Sequence, residues 1–413
     1  MRFLHLSDLH FGKSIHGVSL LENGDQDYWA DRFLELTEEL RPDAVVIAGD
    51  VYDRSAPSGD AVQLLSRMLT ALARRQIPVM LVAGNHDSLQ RLSFASPLLA
   101  GSGIHISPAL SDSAELSHVT LQDAYGPVTF WLMPYLFPAQ IERVLGEDCP
   151  RDYDGAVRAL LARQPLDKNR RNVLIAHQNV TANGAESPRG GSESMVGGVG
   201  QIDYTAFDAF DYVALGHIHA AYPVGRESVR YAGSPLCYHF DETRQPAKGP
   251  LLVEIREKGS EITVETRVLP PLHPMREWRG NYEELRRSFL DDTARGEYLR
   301  VVLTDRRVSP EEADFFRELA ASRDSVLMEI SSEYDPFGER GSSQADTVRE
   351  QSVEELFACF YAERAGGEMP DAQEASLLRF AGELTRQRES GIFPTQEQTQ
   401  RLLRCLLEQE AGV

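Results

Sequence analysis

Phe3-Leu4-His5-Leu6-Ser7-Asp8-Leu9-His10 is an apolar run that ends in a carboxylate and an imidazole, and the same arrangement recurs four times downstream. Ala44-Val45-Val46-Ile47-Ala48 leads into Gly49-Asp50-Val51-Tyr52-Asp53. Val79-Met80-Leu81-Val82 leads into Gly84-Asn85-His86-Asp87. Val173-Leu174-Ile175 precedes His177, and Tyr212-Val213-Ala214-Leu215 precedes Gly216-His217-Ile218-His219. Short apolar runs of this kind read as buried strands. Strands that each end in a polar group line one rim of a sheet, and in open α/β sheets that rim is where ligands bind.

The spacing has a chemical reading. Residues i and i+2 of an extended segment point the same way. Asp8 and His10 are therefore expected to reach one ion, and His217 and His219 to face the same centre. Carboxylate, amide and imidazole without thiolate suit a fairly hard divalent ion such as Mn²⁺, with Mg²⁺ as a substitute. Asp50 is the expected bridge, because one carboxylate can serve two ions. Two ions ~3.5–4 Å apart can clamp a phosphodiester and its attacking nucleophile.

The order D-x-H, G-D-x-x-D, G-N-H-D, H, G-H-x-H resembles that of the calcineurin-like metallophosphoesterases. The opening Phe3–Lys13 stretch, Gly84-Asn85-His86-Asp87-Ser88 with Arg91-Leu92, and Tyr231-Ala232-Gly233-Ser234-Pro235-Leu236 are similar to the SbcD family. These are bacterial relatives of the eukaryotic double-strand-break repair nuclease. The resemblance implies a two-sheet α/β sandwich and a Mn²⁺-dependent DNA exonuclease and hairpin or single-strand endonuclease. It also implies a homodimer, within a heterotetramer with an SbcC-type coiled-coil ATPase, acting in DNA end processing and repair. It assigns Asp8, His10, Asp50 and His219 to one ion, and Asp50, Asn85, His177 and His217 to the other. His86 is then a non-ligand, placed to protonate the leaving 3′ oxygen or stabilise the transition state. Archaeal and eukaryotic relatives carry a second histidine three residues after the bridging aspartate, where this chain has Asp53.

Composition bounds the reading. A chain of 413 residues is expected to hold two or three domains. The four cysteines, Cys149, Cys237, Cys359 and Cys405, are scattered, as expected of free thiols in the cytoplasm. No apolar run approaches the ~18–20 residues of a membrane span, and the first residues read as a strand rather than a secretory signal. The net charge of −21 argues against a generic polyanion binder. Basic surface for DNA is therefore expected from a partner, supplemented by bound ions and by arginines, which far outnumber lysines.

Residues 1–270 alternate strands with amphipathic helices, one near residues 33–40 and one about 59–75. Later strand-like stretches are His118–Leu121, Val128–Met133, Leu251–Ile255 and Ile262–Val268. The glycine-rich stretch 181–201 reads as a loop bordering the substrate. Pro270, Pro271 and Pro274 mark a break. Residues 271–335 then read as a small α+β unit that caps the cleft in SbcD-like proteins. It comprises a helix near 281–291, strand Tyr298–Leu303, a helix near 309–321 and strand Val326–Ile330. Residues 336–350 read as a linker. Residues 351–413 read as helices, with Val353, Leu356, Phe357, Phe360 and Tyr361 on one stripe. By resemblance that tail grips the ATPase. A small intramolecular bundle is the alternative.

His5 reads as a satisfied core histidine. Asp87 has two readings: a turn cap, or a group that orients His86 and favours its protonated form. Two further functions stay open. Gly49-Asp50-Val51-Tyr52-Asp53-Arg54 resembles a phosphatase pattern, consistent with a phosphoprotein phosphatase or small-molecule phosphodiesterase. A non-catalytic assembly subunit is the other, and the complete ligand set weighs against it.

Overall fold

Strands buried on both faces need two layers to cover them, and the chain supplies both. The computed structural model describes residues 1–182, 184, 200–245 and 248–334. Among these, two six-stranded sheets form the core. The first runs Thr263–Thr266, Leu251–Glu254, Arg2–Leu6, Ala44–Ala48, Val79–Val82, Ile104–Ile106. Its last four strands are parallel, and the other two extend it antiparallel. The second runs Tyr222–Val224, Arg226–Tyr231, Tyr212–Gly216, Arg171–His177, Gly126–Met133, Ser117–Asp123, with four parallel strands inside and antiparallel edges.

Phe3, Val46, Met80, Phe130, Val173, Ile175 and Tyr212 pack between the sheets. Trp29, Phe33, Leu65 and Met68 cover the outer face of the first sheet from helices Asp25–Leu40 and Gly59–Arg74. Ile141, Leu145, Val157 and Leu160 cover the second from helices Pro138–Leu145 and Tyr153–Ala162. This is the expected two-sheet α/β sandwich. Parallel strands point their C-terminal ends the same way, so both sheets deliver their polar strand ends to one rim.

A third, three-stranded parallel sheet follows the proline break: Met275–Gly280, Tyr298–Leu303, Val326–Ser332. Helices Tyr282–Asp291 and Pro310–Ala321 pack on it through Leu285, Phe289 and Phe316. Ser309 caps the second helix reciprocally with Glu312. The strand Met275–Gly280 (Met-Arg-Glu-Trp-Arg-Gly) was not expected. Its side chains are mostly half-buried and charged, so it lacks an apolar alternation. This unit meets the sandwich at buried Asp25, which accepts from Tyr298 Oη (2.6 Å) and lies 2.9 Å from His273 Nδ1. Residues Met1–Tyr334 form one compact unit. The expected linker 336–350, the helical tail 351–413 and most of the loop 181–201 lie outside the described residues.

His5 is fully buried, with Nδ1 3.1 Å from Tyr212 Oη and Nε2 3.2 Å from the Leu215 carbonyl. Burial pushes its pKa down to about 3. The folded chain therefore keeps the ring neutral while the unfolded chain protonates it near 6.5. Its stabilising contribution is complete above pH 6.5 and is lost as pH falls towards 3. In urea unfolding of metal-free protein between about pH 6.5 and 4, His5→Gln is expected to flatten the loss of stability by up to about 1.4 kcal/mol per pH unit. Superimposable pH profiles would contradict this.

Candidate metal centre

Three of the five strand ends turn sharply where they meet the rim. Asp8 (φ 53°), His10 (φ 43°), Asp50 (φ 48°) and His217 (φ 106°) all have positive φ. Such conformations cost on the order of 1–3 kcal/mol each in non-glycine residues and cluster at functional sites. This corrects the extended-strand argument. Asp8 and His10 do converge, but through left-handed turns rather than by strand alternation. His217 Nδ1 lies near Asn85 Oδ1, and His219 Nε2 near His10 Nε2.

The ligand atoms of Asp8, His10 and His219 lie within 4.8 Å of one another, as do those of Asp8, Asp50 and His177, and of His10, Asp50 and His86. Asp50 Oδ2 is 3.6 Å from His10 Nε2 and 3.4 Å from His177 Nε2. Its Oδ1 accepts the His86 backbone N–H at 2.9 Å. One oxygen thus faces both imidazoles while the other is held. The His177 Nδ1–H donates to the Ala48 carbonyl (2.8 Å), which aims Nε2 at the rim. Asn85 Oδ1 lies 3.0 Å from that Nε2 and 3.2 Å from His217 Nδ1. The approach of Asp50 to the Gly84 backbone is close enough that a Cβ at residue 84 would overlap its carboxylate.

The electrostatics are unusual. Asp8, His10, Asp50, His177 and His219 are all at most 3% exposed. Burial raises the Asp8 carboxyl, and the Asp50 charge adds to the rise against the opposing imidazoles His177 and His219. Burial would raise Asp50 as well, but the charge and hydrogen bond of His177, helped by His10 and His86, hold it well below the usual carboxylate range. Burial opposes a proton on His177, yet Asp50 and Asp8 raise its pKa to about 9. His10 and His219 turn their Nε2 atoms toward each other at 3.3 Å.

Residues 1–221 match the family described as calcineurin-like phosphoesterase. Residues 271–365 match the one described as type 5 capsule protein repressor C-terminal domain. The SbcD subunit of nuclease SbcCD from Staphylococcus saprophyticus is 34% identical over 306 residues, 73% of this chain and 78% of its own. The protein of that name from Staphylococcus epidermidis is 31% identical over 314 residues, 74% of this chain and 79% of its own. The chain belongs to the calcineurin-like phosphoesterases, in the SbcD family of SbcCD nuclease subunits. A divalent cation is implied by that family, and the residues fit one. Two carboxylates and inward-turned imidazole nitrogens are buried together. Among the described residues, no lysine or arginine forms an ion pair with Asp8 or Asp50. A buried anionic pair of this kind is costly without a cation.

The hydrogen bonds of Asp87 run to backbone. Its two oxygens accept the backbone N–H groups of Val51 (3.0 Å), Tyr52 (2.9 Å) and Gly84 (2.9 Å). It staples the Asp50 loop to the Asn85 loop. His86 Nδ1 lies 2.9 Å from the Asp53 carbonyl. Asp53 pairs with Lys13 at 2.7 Å and approaches His10 Nδ1 at 3.7 Å. Sequence reasoning also missed Gln26. Its amide donates to the His10 carbonyl and its oxygen accepts the Gly12 N–H, both at 2.8 Å. It sits at the start of a helix with no local signal beyond its polarity on a buried face.

Asp87→Asn leaves one acceptor oxygen and points an amide donor at backbone N–H groups. Hydrogen bonds to charged groups contribute about 1.5–3 kcal/mol each. A clear drop in the melting temperature of the metal-free variant is expected. An unchanged melt with a shifted pH–rate profile would instead return Asp87 to the role of orienting His86.

Proposed function

We propose that this chain is the nuclease subunit of an SbcCD-type complex, hydrolysing DNA phosphodiesters with two Mn²⁺ ions, Mg²⁺ being a substitute. The observation that carries the reading is the convergence of Asp8, His10, Asp50, His177 and His219 at one rim, in a chain of the SbcD family. Asp8, His10, Asp50 and His219 would hold one ion, and Asp50, Asn85, His177 and His217 the other. Asp50, whose Oδ2 faces both His10 and His177, would be shared by the two ions. When bound, the ions supply positive charge to the phosphodiester and acidify the attacking water. His86 is reserved for proton transfer. With Nδ1 against the Asp53 carbonyl, its Nε2 can carry a proton toward the leaving 3′ oxygen.

His86 also lies close enough to His10 and Asp50 to be counted with them as a ligand, so the assignment needs a direct test. Purified protein is incubated with Mn²⁺ and labelled hairpin and linear duplex DNA. Asp50→Ala is expected to abolish cleavage and lower bound manganese. His86→Ala is expected to keep both ions per chain by elemental analysis while losing ~10²–10⁴-fold in rate. Metal loss in His86→Ala would make it a ligand, and full activity in Asp50→Ala would remove the two-ion reading.

The proposal extends to assembly. Phe94 and Leu98 are 80% and 81% exposed, and Phe94 lines one groove with the exposed Val62 of helix Gly59–Arg74. Adjacent large apolar side chains at such exposure mark a contact surface. We assign it to a second copy of the chain, since a two-fold interface buries the same patch twice. Phe94→Glu/Leu98→Glu is expected to convert a dimer to a monomer by light scattering. A wild-type monomer, or a dimeric variant, would contradict this. The tail 351–413 is proposed to dock an SbcC-type coiled-coil ATPase, which would supply basic surface to offset the chain's net charge of −21. Among the described residues, no helix is long and apolar enough to cross a membrane. A cytoplasmic location is proposed.

A further inference from the structure

The turn Phe240–Arg244 carries a buried carboxylate that the proposed chemistry does not use. Glu242 is 1% exposed. Its Oε1 lies 3.1 Å from His219 Nδ1. Its Oε2 receives Lys248 Nζ at 2.9 Å and the Tyr238 backbone N–H at 3.2 Å, with Ser234 Oγ at 3.4 Å. Lys248 also donates to the His219 carbonyl and to Ser234 Oγ, both at 2.8 Å. One ion pair therefore holds the ring of His219 through Glu242 and its backbone through Lys248.

We infer that Glu242 is a positioning residue for His219, fixing the tautomer in which Nδ1 carries the proton and Nε2 presents its lone pair to the cluster. The inference rests on the reading that His219 is a metal ligand. A neutral imidazole has one donor and one acceptor nitrogen, and the hydrogen bond at one sets the role of the other. A carboxylate accepts only, so the proton belongs on Nδ1. The Nε2 that faces His10 Nε2 at 3.3 Å is then the donor atom to a cation. A carboxylate behind a ligating histidine also orients the ring and raises its basicity. The turn itself is anchored from the small sheet. Arg244 reaches Glu277 at 2.9 Å, and Arg300 approaches Asp241 at 3.7 Å.

Removing Glu242 alone would leave Lys248 without its buried partner, so the test changes both. In the full chain, Glu242→Gln/Lys248→Met keeps a carbonyl acceptor for the Nδ1–H, whereas Glu242→Ala/Lys248→Met does not. Both lack the charges. Mn²⁺ is titrated calorimetrically into metal-free protein, with His219→Ala as reference. The alanine pair is expected to weaken, by roughly 10–100-fold, the same site that His219→Ala loses. The glutamine pair is expected to bind more tightly than the alanine pair, because it keeps the acceptor for Nδ1–H. Equal affinities for the two pairs would overturn the inference while leaving the metal site standing. Retention of both ions in His219→Ala would overturn the site assignment and the inference together. A second measurement needs no altered residue at 242. The side-chain ¹⁵N spectrum of metal-free wild type at alkaline pH, with His219 assigned by its loss in His219→Ala, should show the Nδ1–H tautomer. The Nε2–H tautomer would overturn the proposal.

Discussion

Two carboxylates, Asp8 and Asp50, are buried side by side at the rim of a sheet with imidazoles, and no lysine or arginine among the described residues, for company. Much of the surrounding structure reads as the means of keeping them there. Backbone amides of His217 and His86 point at them. Glycine at residue 84 lets one of them in, and the left-handed turns at Asp8, His10 and Asp50 aim side chains that straight strands would send elsewhere. In an apolar interior such a pair is unfavourable on its own. It becomes favourable when divalent charge arrives, which is how a fold stores affinity for a cation.

The two sheets explain why the candidate ligands are spread over more than two hundred residues. Asp8, Asp50 and Asn85 follow strands of the first sheet, while His177 and His217 sit at strand ends of the second. The His177 ring reaches across to the Ala48 carbonyl. The site therefore belongs to the packing of the two sheets and not to either one. Phe3, Phe130 and Tyr212, packed edge to face between the layers, set that spacing from below.

Much of this was legible in the sequence, for a physical reason. A parallel strand buried on both faces has to be apolar throughout, so the residue at which polarity begins marks the rim. That rule located Asp8, Asp50, Asn85, His177 and His217 together. Strand alternation, a separate argument, did not foresee the left-handed turns at Asp8, His10 and His217. Neither could reveal partners far apart in sequence. Gln26 beneath His10, and Glu242 and Lys248 behind His219, are ordinary polar residues until the fold brings them in. Asp87 shows a different kind of hidden partner. Adjacency to His86 suggested a role on that ring, and only the fold shows three backbone donors from distant loops meeting the Asp87 carboxylate. The strand Met275–Gly280 escaped notice because its half-exposed faces relieve it of an apolar pattern.

The central claim is that one rim holds two divalent ions, shared by a single carboxylate. Anomalous scattering from Mn²⁺-soaked crystals of the full chain tests it most directly. The account predicts two peaks ~3.5–4 Å apart. One should lie within bonding distance of Asp8, His10 and His219, the other of Asn85, His177 and His217, with Asp50 touching both. A single peak at saturating manganese, or two peaks without Asp50 between them, would contradict it.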